Sequence, residues 1–250
     1  MNLSGISYKS LLGKALRLPL RLIPSKAVVR VLQGSLKGKK WIAGSSNHGC
    51  WIGSYEHDKR VLFEGTLKES SVVFDIGANV GFYTLLASTL VGKEGHVFAF
   101  EPFPANLTYL KEHLRLNNIE NVTVFDAAVS DKSGTTFFEE GPSRSMGHIS
   151  STGTLQVQTV VIDELVAAGN LPTPDYIKMD IEGAEVHALS GAKSMLSESH
   201  PTIFLATHGS DIHDECCRLL RSLDYELQSI DGTNLESSRE ILATYNGGKQ

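Results

Sequence analysis

"VVFDIGANVGFYTLL", Val72 to Leu86, decides the fold. Its apolar opening, closing on Asp75, reads as a buried strand; Gly77-x-Asn79-x-Gly81 reads as a tight turn, and the run from Phe82 as a helix. A strand that feeds such a turn and opens into a helix lets backbone approach a ligand closely. Asn79 suits the middle position because Asn is among the few non-glycine residues that enter the left-handed region. The turn falls short of a dinucleotide fingerprint, since Phe82 occupies the place of its third glycine.

Asp75 gives that turn a direction. A carboxylate at a strand end repels phosphate oxygens and attracts a cation. S-adenosylmethionine answers this description: it carries no phosphate, it bears a sulfonium and an ammonium, and its carboxylate can meet the N–H groups at the helix start near Gly81. Two further acids end the next strands. Glu101 closes "HVFAFE", where a carboxylate can accept hydrogen bonds from both ribose hydroxyls, and Asp126 closes "NVTVFD", placed for the adenine amino group. Tyr55 and Glu56, ahead of the first core strand, are positioned to close over the methionine end. The expected cofactor set is therefore Asp75, Gly77, Asn79, Gly81, Glu101, Asp126, Tyr55 and Glu56.

Outward from this centre, strand and helix patterns alternate. The helix "PANLTYLKEHLRLN" follows the second strand, with Pro104 in its first turn and Leu107, Leu110 and Leu114 on one face. "TTFFEE" and "TLQVQTVVIDEL" read as strands flanking the polar loop "GPSRSMGHISSTG", long enough to fold over a substrate and carrying Arg144 and His148. Alternation resumes with strand "YIKMD", a helix from Ala184, strand "TIFLATH" and a helix from Asp211 as N-cap. "YELQSID" and "REILATY" then suit an antiparallel hairpin on the sheet edge. This is parallel-sheet α/β architecture.

With 250 residues and 41% hydrophobic content, the chain suits one such domain, residues 51–250, preceded by an extension over 1–50. In the extension, "AVVRVLQGSLKGKKWI" alternates around Gly34 and Gly38 as a hairpin would; after it, "CWIGSYEHDKRVLFEGTL" reads as a short helix leading to the first core strand. Nine of the 23 Lys/Arg fall in the first 40 residues, which hold no Asp/Glu; the rest carries 14 against 28. An acidic body argues against a nucleic-acid partner. Residues 8–23 form a basic amphipathic pattern that fits either a peripheral membrane contact or packing on the domain itself, and Pro19 limits any helix there. Their apolar run is too interrupted for a secretory signal, and three cysteines make no disulfide framework, so the expected location is cytoplasmic. His213, Cys216 and Cys217 match no closed zinc spacing, and no metal is expected.

Taken together, "GSYE" at 53–56, "DIGANVGFYT" at 75–84, "AFEP" at 99–102, "AAVSD" at 127–131, "IDEL" at 162–165 and "IKMDIEGAE" at 177–185 resemble the FkbM family of class I S-adenosylmethionine-dependent methyltransferases. The resemblance covers roughly residues 50–230. It implies a Rossmann-like, mixed seven-stranded sheet with its last strand antiparallel and helices on both faces, S-adenosylmethionine as methyl donor, and a hydroxyl on a sugar, glycan or secondary metabolite as small-molecule acceptor. Many members carry a Glu near the end of the fifth strand, where this chain has Ala206, Thr207 and His208.

Methyl transfer to oxygen asks the protein to align two groups and remove a proton. "KMDIEGAE" ends the fourth strand with Asp180 beside the expected methyl position, and His208 ends the adjacent strand. His208 is the first candidate base and Asp180 the second. Glu182 and Glu185 read either as part of this site or as acids that favour the start of the next helix. Two alternatives stand beside the methyltransferase: a nicotinamide-dependent oxidoreductase, which shares the fold and the Glu101 position, and a non-catalytic scaffold that binds the cofactor or a partner.

Overall fold

The structure, a computed structural model, describes residues 19–140, 147–149 and 153–247. The basic segment up to residue 18 and the loop tip containing Arg144 lie outside the described residues. A short 3-10 turn at Pro19–Leu22 leads into an antiparallel hairpin, β1 (Val28–Arg30) and β2 (Lys40–Ile42), as the alternation around Gly34 and Gly38 predicts. The next stretch differs from the single helix expected. It forms α1 (Gly49–Ile52) and α2 (His57–Thr66), because the chain turns through left-handed conformations at Gly53 and Glu56.

The core unit then runs β3 (Val72–Ile76), α3 (Phe82–Val91), β4 (His96–Phe100), α4 (Pro104–Leu116) and β5 (Val122–Phe125). After an insertion, it continues with α5 (Ile162–Ala167), β10 (Tyr176–Met179), α6 (Glu185–Ser190), α7 (Lys193–Ser199), β11 (Thr202–Ala206), α8 (Ser210–Ser222), β12 (Tyr225–Ser229) and β13 (Glu240–Tyr245). The sheet order is β12-β13-β11-β10-β3-β4-β5. Neighbours from β5 to β11 pair in parallel, and β13 runs antiparallel between β11 and β12. The final hairpin is therefore threaded into the sheet, its last strand lying inside the edge.

Strand alternation sorts the two faces. Val73, Asp75, Val97, Ala99, Tyr176, Lys178 and Phe204 point one way, toward α2, α3, α4 and the hairpin; Phe74, Ile76, Phe98, Phe100, Ile177, Met179, Ile203 and Leu205 point the other, toward α5 to α8. Both faces are covered, so the strands read as nearly continuous apolar runs and a charged residue among them stands out. The hairpin joins the first face through Trp41, fully buried and stacked on His113 of α4 at 3.7 Å between ring centroids.

Three local expectations are corrected. "TLQVQTVVIDEL" is strand only to Val160; it then turns into α5, whose Asp163 carboxylate accepts the N–H groups of Ser194 and Met195, both at 2.9 Å, and so caps α7. The helix expected from Ala184 breaks between α6 and α7 at Gly191, where a Cβ would stand 2.1 Å from the Ser130 carbonyl oxygen. Asp211 sits inside the first turn of α8, with Gly209 at the cap position and no side-chain cap bond. The insertion forms a second sheet, ordered β6 (Ala128–Val129), β9 (Leu155–Val160), β7 (Gly134–Glu140) and β8 (Gly147–Ile149). Part of the predicted polar loop is thus strand β8, paired antiparallel to β7.

Candidate functional site

A cavity of about 290 Å³ opens at the C-terminal ends of β3, β4 and β10, where open α/β sheets bind ligands. One end is built from backbone. Gly77, Asn79 and Gly81 all have positive φ, at 80°, 51° and 91°, so the sequence expectation for Asn79 holds. The close approach that the two glycines allow is internal to the protein: a Cβ on Gly77 would lie 2.0 Å from the Asp180 carbonyl oxygen, and one on Gly81 would lie 2.5 Å from Leu110 Cδ1. Glu101, 5% exposed, pins this turn. Its Oε2 accepts the Asn79 N–H at 2.8 Å, and its Oε1 accepts the Phe103 N–H at 2.9 Å and the Asn106 amide at 3.2 Å. Burial raises its carboxyl above the ordinary range, against the pull of these donors. The insertion sheet adds Phe138 to the wall, stacked on Phe103 at 5.8 Å.

Asp75 is not on that wall. It points toward α3 and is only 1% exposed; Thr84 Oγ1 donates to its Oδ2 at 2.6 Å, and Lys178 Nζ stands 3.5 Å from its Oδ1. The register explains this, because Lys178 on β10 lies directly opposite Asp75 on β3, on the same face. Lys178 also donates to the Gly77 carbonyl at 2.9 Å. The charge that directed the sequence reading is thus neutralised inside the protein. It holds the glycine turn in place through its lysine.

The other end of the cavity is built from side chains. Asp180 and Glu182 line it, and Glu182 takes a left-handed φ of 54° ahead of Gly183. Lys59 of α2, 4% exposed, reaches Glu240 at 2.9 Å, Glu56 at 3.4 Å and Asp180 at 3.9 Å. Glu56 accepts the Tyr83 hydroxyl at 3.0 Å. His208 stands beside the wall residues, with Nε2 at 3.6 Å from Asp180 Oδ1 and 3.5 Å from Glu182 Oε2. Its Nδ1 lies 2.7 Å from Oε1 of Glu185, which is fully buried. The bond to Glu185 raises the His208 pKa above its ordinary value, helped by Asp180 and Glu182 and opposed by burial. Burial would raise Asp180, yet Lys178, Lys59 and His208 outweigh it and hold its carboxyl below the usual range.

Among the expected residues, Gly77, Asn79, Glu101, Tyr55 and Asp180 line the cavity. Gly81 and Glu56 support wall residues from behind. Asp126 is not among the lining residues: its side chain is 55% exposed and ion-pairs with Lys111 at 2.9 Å. Lys59, Lys178, Glu240 and Phe138 went unmarked in the sequence. Only Lys178 left a signal, as a lysine within the otherwise apolar buried strand "YIKM", which demands a carboxylate partner across the sheet. Cys216 and Cys217 are buried in the core under α8. Among the described residues, Asp180, Glu182 and His208 are the group whose ligand atoms, within 4.8 Å of one another, could hold a metal ion.

The wall suits the cofactor inferred from sequence. Among the described residues lining the cavity, the one basic side chain is Lys178, already held by Asp75 and the Gly77 carbonyl, so no basic side chain there is free to pair with a pyrophosphate. The acids at Glu101, Asp180 and Glu182 favour hydroxyls and positive charge instead.

Comparison with known proteins agrees. The chain is 32% identical over 157 residues to "Hexuronic acid methyltransferase AglP" of Haloferax volcanii, covering 62% of this chain and 63% of that protein. It is 28% identical over 166 residues to "2-O-methyltransferase NoeI" of Sinorhizobium fredii, covering 58% and 65%. The chain thus spans just under two thirds of the length of these curated relatives. In fold it is similar to the crystal structure of an FkbM methyltransferase from Methylobacillus flagellatus, with a TM-score of 0.53 at 24% identity over 76% of this chain and 46% of that one. The profile of the "Methyltransferase FkbM domain" matches residues 75–227, from the strand that carries Asp75 to the one that carries Tyr225, and the chain belongs to that family.

Proposed function

We propose that this protein is an S-adenosylmethionine-dependent O-methyltransferase whose acceptor is a hydroxyl on a sugar or glycan. The observation that carries the reading is a cavity at the carboxyl edge of the sheet whose wall, among the described residues, offers Glu101, Asp180 and Glu182 and no free basic side chain. The acceptor class rests on the relatives, one named for a hexuronic acid and one for 2-O-methylation. Family membership and the missing phosphate anchor set the nicotinamide alternative aside.

Each residue then has a task. Glu101 presents the remaining lone pairs of its carboxylate to ribose hydroxyls while its backbone partners keep it from rotating. Gly77 and Asn79 shape the turn that would hold the nucleoside, and Phe138 and Tyr55 add apolar wall to the same cavity. S-adenosylmethionine, if held there, would supply an electrophilic methyl group on sulfur. Asp180 sets the negative potential at that end, and His208 takes the proton of the acceptor hydroxyl at Nε2.

Calorimetry on the full chain tests the cofactor. S-adenosylhomocysteine should bind and NAD should not. Binding of NAD alone would overturn the assignment. Release of S-adenosylhomocysteine in the presence of uronic-acid and neutral glycosides then separates an enzyme from a binding scaffold, since a scaffold would bind the cofactor and turn over none of them.

A further inference from the structure

We propose that Glu185 is a positioning residue that acts through His208, holding its ring with Nδ1 protonated so that Nε2 alone is presented to the acceptor proton. The inference rests on the reading of His208 as the base. It deepens that reading by assigning work to a carboxylate whose place at the start of a helix fitted a favourable dipole as well as a part in the site.

Geometry carries it. A carboxylate can only accept, so the 2.7 Å contact between His208 Nδ1 and Glu185 Oε1 fixes the tautomer: Nδ1–H donates. The Nε2 contacts, at 3.6 Å to Asp180 and 3.5 Å to Glu182, exceed a normal hydrogen bond and leave Nε2 uncommitted beside the cavity wall. When Nε2 receives the acceptor proton, the imidazolium that forms is faced by Glu185 from α6 and by Asp180 and Glu182 from the loop after β10. Lys59 compensates Asp180 from the other side.

The cost of Glu185 is the second observation. The residue is fully buried, next to the buried Cys216 of α8; among the described residues its Oε2 has no hydrogen-bond partner, and its Oε1 accepts from His208 and, at 3.1 Å, from the Gly183 N–H. A buried carboxylate with an unpartnered oxygen weakens a fold that glutamine would serve as well. Packing does not account for the acid. Its charge is useful where a second charge appears next to it, on His208.

The test uses the full-length chain, without cofactor, as wild type, Glu185→Gln and Glu185→Asp. Nitrogen-15 imidazole spectra of His208 report tautomer and titration midpoint, and thermal melts report stability. The expected result is the Nδ1–H tautomer in wild type, a midpoint lowered by at least one pH unit in Glu185→Gln with no loss in Tm, and a partial return in Glu185→Asp. With a glycoside that is turned over, kcat should fall ten- to a hundredfold in Glu185→Gln while KM stays within twofold.

Three results would overturn the proposal: a proton on Nε2 in wild type, a midpoint unmoved by Glu185→Gln, or turnover lost on chelation and restored by magnesium, which would make Nε2 a metal ligand. Failure here is distinguishable from failure of the methyltransferase reading. The spectra require no cofactor, whereas binding of S-adenosylhomocysteine requires no intact dyad.

Discussion

The two ends of the cavity are built by different means. At the Glu101 end, one carboxylate and a left-handed turn on neighbouring strand ends hold each other through backbone N–H groups. At the Asp180 end, charges arrive from α2, α6, β13 and the loops after β10 and β11, and meet only once the sheet is assembled. The first kind of site needs one strand-end acid and one turn. The second can set proton affinities because several charges bear on each group.

The largest effect expected from testing this contrast lies under the turn. Gly77→Ala should destabilise the fold by roughly 5 kcal/mol, since it forces a methyl against the Asp180 carbonyl in a left-handed conformation. Denaturant titration checks it, and a variant of wild-type stability would break the picture of a turn packed on β10. Lys178→Met should cost about 4 kcal/mol by leaving Asp75 buried without its cation. Adding Asp75→Asn should recover most of that loss, which no model with Asp75 facing the cofactor would anticipate.

His208→Gln should lower kcat by about 10² to 10³ while leaving the affinity for S-adenosylhomocysteine unchanged. Equal loss of affinity would merge the two ends into one site.

A pH experiment addresses the backbone-built end. His113 Nδ1–H donates to the Val80 carbonyl at 2.8 Å and its Nε2 accepts the Ile42 N–H at 3.1 Å, so the ring is neutral and fully committed. Burial lowers its pKa to about 4 from the ordinary 6.5. The unfolded chain therefore takes up this proton first: stability is undiminished above pH 6.5 and falls as pH drops toward 4. The loss attributable to this group approaches about 3 kcal/mol. Relative to His113→Gln, wild type should lose that much between pH 7 and 4; parallel curves would remove His113 from the account. The smallest effect belongs to Asp126→Asn, which should change stability by less than about 0.5 kcal/mol and leave cofactor affinity alone, because the pair with Lys111 is exposed.

Where the chain reads locally, the sequence is a good guide. The strand, the turn and its left-handed Asn79, the hairpin around Gly34 and Gly38, and Glu101 all depend on neighbours within a few residues or on one strand-end rule. Asp75 shows where that guide fails. Its position at a strand end suggested a ligand, but which face it occupies depends on pairing with β10, and its partner lies across the sheet at Lys178. Glu185 shows the converse, since nothing near it in the chain marks that its carboxylate meets His208, its one side-chain partner among the described residues.

By itself, then, the sequence determined the alternating architecture, the family, the glycine turn and the acids to consider, because periodicity and turn chemistry are short-range properties of a chain. Only the tertiary structure decided which of those acids are neutralised, which face the cavity and which touch His208. Charge works through space over a few ångströms, and that distance is set by strand register and helix packing, not by order along the chain.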